Sequence, residues 1–96
     1  MSQPINLVKE LRILKASMVL TQLCFDKELT SQLPNWEEVE IKKTEFNGCL
    51  ERLNELIPII VAEKPDPALI SQDIKESLDL VAANVKLVAE LSKLKI

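Results

Sequence analysis

Apolar residues in this chain recur at threes, fours and sevens in three long runs, and prolines separate the runs. In the first run Leu7, Leu11, Leu14, Met18, Phe25 and Leu29 fall on one stripe at the helical 100° per residue, which predicts a helix from Pro4 to about Gln32. Pro4 suits the first turn because its missing N–H falls among the donors that have no intrahelical partner there, with Ser2 or Gln3 as the cap. The segment Leu33-Pro34-Asn35-Trp36-Glu37-Glu38 marks the next boundary. Asn35 is a good N-cap, Glu38 is placed to return a bond to the cap N–H, and both glutamates suit the positive end of the helix dipole. A second helix is therefore expected from Trp36, with Val39, Phe46, Leu50, Leu53 and Ile57 on its buried stripe and Glu38 paired with Lys42 on its exposed side. Pro58 should end or kink it, leaving Ile59, Ile60 and Val61 as a last turn or a connector. Gly48 costs roughly 1 kcal/mol in mid-helix, which points to a close crossing with another backbone. Trp36 is expected partly buried, between the start of this helix and the end of the first.

Lys64-Pro65-Asp66-Pro67 is the second boundary, with Asp66 as cap and Pro67 in the first turn of a helix running to about residue 95. Lys93 and Lys95 suit its carbonyl end. This last helix carries two apolar stripes. Ile70, Ile74, Leu78, Val81, Val85 and Val88 line one face, and Leu69, Leu80, Leu87, Leu91 and Leu94 line the opposite one. A small bundle buries one such face, so the second is expected to meet a partner: Leu80, Leu87, Leu91 and Leu94 as anchors, with Ala83 allowing close approach. Ile13 and Leu20, with Cys24, form a thinner second stripe on the first helix beside Ala16. The alternative is that both stripes pack internally or in a homodimer. Short links between long helices make them antiparallel neighbours, which predicts an all-α, up-down-up bundle of three long helices, about 40 Å long, as one domain over residues 1–96.

Composition narrows the function more by exclusion than by indication. A chain of 96 residues buries only roughly 60–65% of its unfolded surface, so added area from a partner or a second copy is welcome. The net charge is −3 and the twelve Lys and Arg are interspersed with acids, so no basic face is available for nucleic acid or an anionic membrane. No apolar run reaches the roughly 18 residues of a spanning helix, and the N-terminus lacks the pattern of a signal peptide, so a cytoplasmic protein is expected. Cys24 and Cys49 read as reduced packing residues. With no His, no Tyr and one Gly, the chain has no Cys-His or Ser-His pair, no histidine metal site and no glycine-rich phosphate loop. The one enzyme-like arrangement is acidic: Glu51 and Glu55 with Glu76 and Asp79, one turn apart on facing helices, in the manner of Mg²⁺-binding pyrophosphatases. Those sites need a further acidic pair on one face, and Glu37 and Glu38 point different ways, so the acids read as solvated faces. Neither an enzyme nor a cofactor is expected.

A long first helix, the Asn35-Trp36-Glu37 start of the second, and a third opening near Ile74-Lys75-Glu76-Ser77-Leu78-Asp79 resemble the FliT-type flagellar export chaperones over about Ile5 to Leu94. The resemblance implies a small cytosolic protein that keeps a flagellar filament-cap subunit soluble and escorts it to the export gate. Members from enteric bacteria also bind the flagellar master regulator and export-ATPase components, and typically carry a further C-terminal helix over part of the binding surface. This sequence stops at Ile96 without a counterpart to that helix, which puts the regulatory role in doubt. A client would enter by packing an amphipathic helix into an apolar groove.

Overall fold

The computed structural model describes residues 4–63 and 67–94. They form three helices, α1 (Pro4–Thr30), α2 (Trp36–Glu63) and α3 (Pro67–Leu94), and no strand occurs among them. The caps expected at Ser2, Gln3 and Asp66, and Lys95 in the last turn, lie outside the described residues. Helix α1 is the spine: α2 and α3 pack along it, while α2 and α3 touch each other only slightly. The result is an open bundle of 46 × 22 × 16 Å.

The α1–α2 corner is built from side chains that take up backbone donors. Asn35 Oδ1 accepts from the Glu38 N–H at 3.1 Å, the expected N-cap bond. The reciprocal bond differs from expectation. The Asn35 N–H donates not to Glu38 but to Glu28 Oε1 at 2.8 Å, from a glutamate buried at the end of α1. Glu38 instead stands 4.0 Å from Lys42 Nζ, the expected i,i+4 pair.

Helix α2 continues past Pro58 and ends at Glu63, six residues beyond the expected end at Ile57. Pro58 and Asn54, whose carbonyl loses its donor, are both on the exposed side, where solvent is at hand to replace the missing N–H. Continuing the helix buries Ile60 completely. Burying it is worth about 1.5–3 kcal/mol, comparable to the roughly 3 kcal/mol cost of an interior proline.

The core takes Leu7, Leu11, Met18 and Phe25 from α1 and Val39, Phe46, Leu53, Leu56 and Ile60 from α2, but among the described side chains only Leu91 from α3. Helix α3 otherwise buries polar residues: Asp73, Ser77 and Asn84. Its two apolar stripes are not opposite faces. Their mean directions lie about 130° apart at 100° per residue, and the line between them passes through Ser77 and Asn84. They are the two shoulders of one wide face with a polar centre, so Ile74, Val81 and Val88 from one stripe and Leu80 and Leu87 from the other all pack against the core. The side chains of Leu69 and Ile70 lie outside the described set.

That polar centre is fully hydrogen-bonded. Thr21 Oγ1 donates to Asn84 Oδ1 at 2.7 Å, and Asn84 Nδ2 donates to the carbonyls of Met18 at 3.1 Å and Leu80 at 2.7 Å. Ser77 Oγ donates to the Asp73 carbonyl at 2.8 Å. Asp73 meets Lys15 Nζ at 2.9 Å and Arg12 Nε at 3.3 Å, and Lys15 also reaches Glu76 at 3.2 Å. No buried side-chain polar atom among the described residues lacks a partner. These bonds fix α3 parallel to α1 in a single register.

Two local expectations need revision. A Cβ on Gly48 would meet nothing within 4 Å, so no backbone crosses there among the described residues. Trp36 is half-buried as expected, but it shares a small cleft with Val88, Leu91 and Ser92 of α3 as well as Val39 of its own helix.

Candidate partner-binding surfaces

Because α1 holds α2 and α3 while they scarcely meet, an apolar groove opens between them. Phe46 and Leu50 of α2 and Val85 and Val88 of α3 line it, with Lys43 and Asn47 on its α2 side, around a volume of about 160 Å³. Val85 is 51% exposed and Leu78, on the same shoulder of α3, 52%. The antiparallel run of the two helices sets Trp36 near Leu91 at one end and Leu50 near Val85 further along. The sequence reading placed the surplus surface on the Leu80–Leu94 stripe; the groove lies on the other shoulder, among residues expected to be wholly internal.

The residues expected to bind a partner are divided by the fold. Leu91 is only 1% exposed and belongs to the core. Leu80 and Leu87 are half-buried against the core, Ala83 is half-buried, and Leu94 is exposed. Ile13 and Leu20 are 57% and 63% exposed on the back of α1. Cys24, expected beside them, is half-buried, and Leu23 at 61% exposure takes its place. Ile13, Ala16, Leu20 and Leu23 therefore form a stripe of alternating three- and four-residue steps, closed at its ends by Lys9 and Lys27. Parallel packing with an offset of about sixty residues, set by the Lys15–Asp73 and Thr21–Asn84 bonds, brings Leu80, Ala83 and Leu87 level with Val19 and Leu23. The stripes read separately on the two helices thus adjoin one another.

Some of the charged groups of the bundle are engaged in structural pairs. Arg52 makes a two-pronged bond to Glu10, at 2.9 and 2.8 Å, and reaches Glu55 at 3.2 Å. The Arg52 hydrogen bond holds the Glu10 carboxyl below its ordinary value, against the opposing effect of burial. Burial raises both cysteine thiols, and nearby Glu38 and Glu28 raise Cys24 further. Both cysteines are unpaired, and their neutral thiols behave as small apolar packing groups.

Of the acids considered for a metal, Glu76 is held by Lys15 and Glu55 by Arg52. Among the described residues no three His, Cys, Asp or Glu side chains gather as a metal site, and no helix is long and apolar enough to cross a membrane. Neither a family model, nor a curated protein, nor a solved structure matches this chain.

Proposed function

We propose that this chain is a protein-binding adaptor which receives an amphipathic helix of a client, and that its concrete form is a cytosolic export chaperone of the flagellar type it resembles. The observation that carries the reading is the groove between α2 and α3. Phe46, Leu50 and Val88 form an apolar floor, Val85 stands half in water, and neither wall is closed by its neighbour. A groove between two helices that are both anchored on a third accepts a fourth helix without rearrangement, and binding of this kind needs no catalytic group. Each leucine-sized side chain that a client buries there contributes about 1.5–3 kcal/mol, so losing two such anchors is enough to abolish micromolar binding.

The test is to titrate the chain with a filament-cap protein and follow complex formation by calorimetry. Micromolar binding that Val85→Asp removes, with helix content unchanged, supports the flagellar form. Failure with the cap protein, alongside Val85-dependent binding of other amphipathic helices, removes that form and keeps the adaptor. Absence of both removes the adaptor.

A second reading, a self-associating bundle without a client, is favoured by the stripe Ile13, Ala16, Leu20 and Leu23, whose spacing is that of a coiled-coil seam. Sedimentation over a range of concentrations distinguishes it: a dimer dissolved by Leu20→Ser with Leu23→Ser, in a chain that binds no helix, establishes this reading instead.

A further inference from the structure

The groove has rims of opposite sign. At 100° per residue, Glu40 and Glu51 lie just outside Lys43 and Asn47 on α2, and Lys86 and Lys93 lie outside Val85 on α3; all four are exposed. Lys43 offsets part of the acidic rim through its 3.4 Å ion pair with Glu40. On α3 the acids Asp79 and Glu90 fall beyond these lysines, about 20–60° further round the helix from the groove. An apolar channel, with Lys43 as its one charged lining residue, thus runs between an outer rim holding Glu40 and Glu51 and one holding Lys86 and Lys93.

Resting on the adaptor reading above, we infer that the groove selects a partner helix by its flanks: an apolar stripe bordered by basic residues on one side and acidic residues on the other. The charges also set the direction of the bound helix. Turning a helix end for end in a groove exchanges its two flanks, so only one direction places the basic flank against Glu40 and Glu51 and the acidic flank against Lys86 and Lys93. The exposed apolar stripe on α1 of a second copy does not offer that pattern. The exposed stripe of α1 ends in lysines, Lys9 and Lys27, and the border of that stripe nearer α3 carries both Arg12 and Asp26. The occupant is therefore a helix of another protein.

The experiment uses the full chain and three synthetic helical peptides that share one apolar stripe: the first with Lys on one flank and Glu on the other, the second with Glu on both, the third with Lys on both. Calorimetry at low salt is expected to show the mixed peptide binding about tenfold more tightly than either of the others, an advantage that shrinks as salt is added. Glu40→Lys with Glu51→Lys makes both rims basic and should transfer the preference to the all-Glu peptide, while Val85→Asp abolishes binding of all three. Equal affinities, or a preference that survives the rim reversal, overturn the inference and leave the adaptor standing. No binding of any peptide removes the groove as a binding site, and both readings fall with it. A dimer that forms without peptide and is lost in Val85→Asp overturns the inference in favour of a second copy.

Discussion

Thr21 and Asn84 meet in the middle of the bundle, hydroxyl to amide oxygen at 2.7 Å, and through Asn84 the same contact reaches the Met18 carbonyl on the neighbouring helix. Both residues are almost wholly buried, so every one of these bonds is made without competition from water. Asn84→Ala takes the α3 acceptor from the Thr21 hydroxyl, leaving it the Met18 carbonyl 2.9 Å away, and removes the Asn84 donor to that carbonyl, and should destabilise the fold by about 1–3 kcal/mol in urea melts. Thr21→Val combined with Asn84→Leu removes both partners and should recover most of that loss, while leaving α3 freer to slide along α1. A double variant less stable than Asn84→Ala alone would show that packing volume, not hydrogen bonding, dominates the site.

The acid limb of stability should belong to Asp73. Burial pushes its carboxyl up, but the bonds from Lys15 and the charges of Lys15 and Arg12 outweigh that and hold it below the ordinary value. A depressed carboxylate adds stability that is fully present above its unfolded pKa, near 4, and is lost as pH falls through the lower folded value. Burial likewise depresses Lys15, yet Asp73 and Glu76 raise it overall, so its contribution is complete below its unfolded pKa and fades only at strongly alkaline pH. Urea midpoints measured from pH 7 to pH 2 should fall steeply at the acid end, and Asp73→Asn should flatten that fall while lowering stability at pH 7. An unchanged acid limb in Asp73→Asn would assign it to other carboxylates.

Gly48→Ala should stabilise the chain by about 0.5–1 kcal/mol, because the new methyl group meets open space and the helix gains a better former. Thermal unfolding reads this directly. A loss of stability would mean that the helix departs locally from the geometry described.

Leucines that look alike in sequence should behave differently. Leu91→Ala removes a core side chain and should cost about 2–5 kcal/mol, whereas Leu20→Ser, on the back of α1, should change stability by no more than about 0.5 kcal/mol. If Leu20→Ser proves as costly as Leu91→Ala, its side chain is covered in solution, and the oligomeric state becomes the next measurement.

Much of the architecture was legible because prolines and caps act locally. Asn35 caps α2 through its own side chain, and Pro67 begins α3, so the starts of both helices were readable from a few adjacent residues. The end of α2 was not, since what carries the helix past Pro58 is the burial of Ile60, a tertiary gain that no local preference contains. The relation between the two apolar stripes of α3 was hidden for a related reason. Counting apolar positions on the last helix passes over Asp73, Ser77 and Asn84, and without them the two flanks of one buried face look like two separate faces. The available signal was their spacing, four and seven residues, along the line midway between the apolar stripes. Glu28 gave no such signal, because its partner is a backbone N–H seven residues away across a turn.

A helix that reaches the core through polar groups also has a place in the order of assembly. The α1–α2 pair holds most of the fully buried apolar side chains and is joined by a five-residue turn, so its contacts close early and at small loop-entropy cost. The bonds of Asn84 and Asp73 reward desolvation only once donors and acceptors on both helices are aligned, so they are expected to form after the rate-limiting barrier. Substitutions there should leave the refolding rate nearly unchanged and appear almost entirely as faster unfolding, so that α3 governs how long the folded molecule lasts while the hairpin governs how quickly it forms.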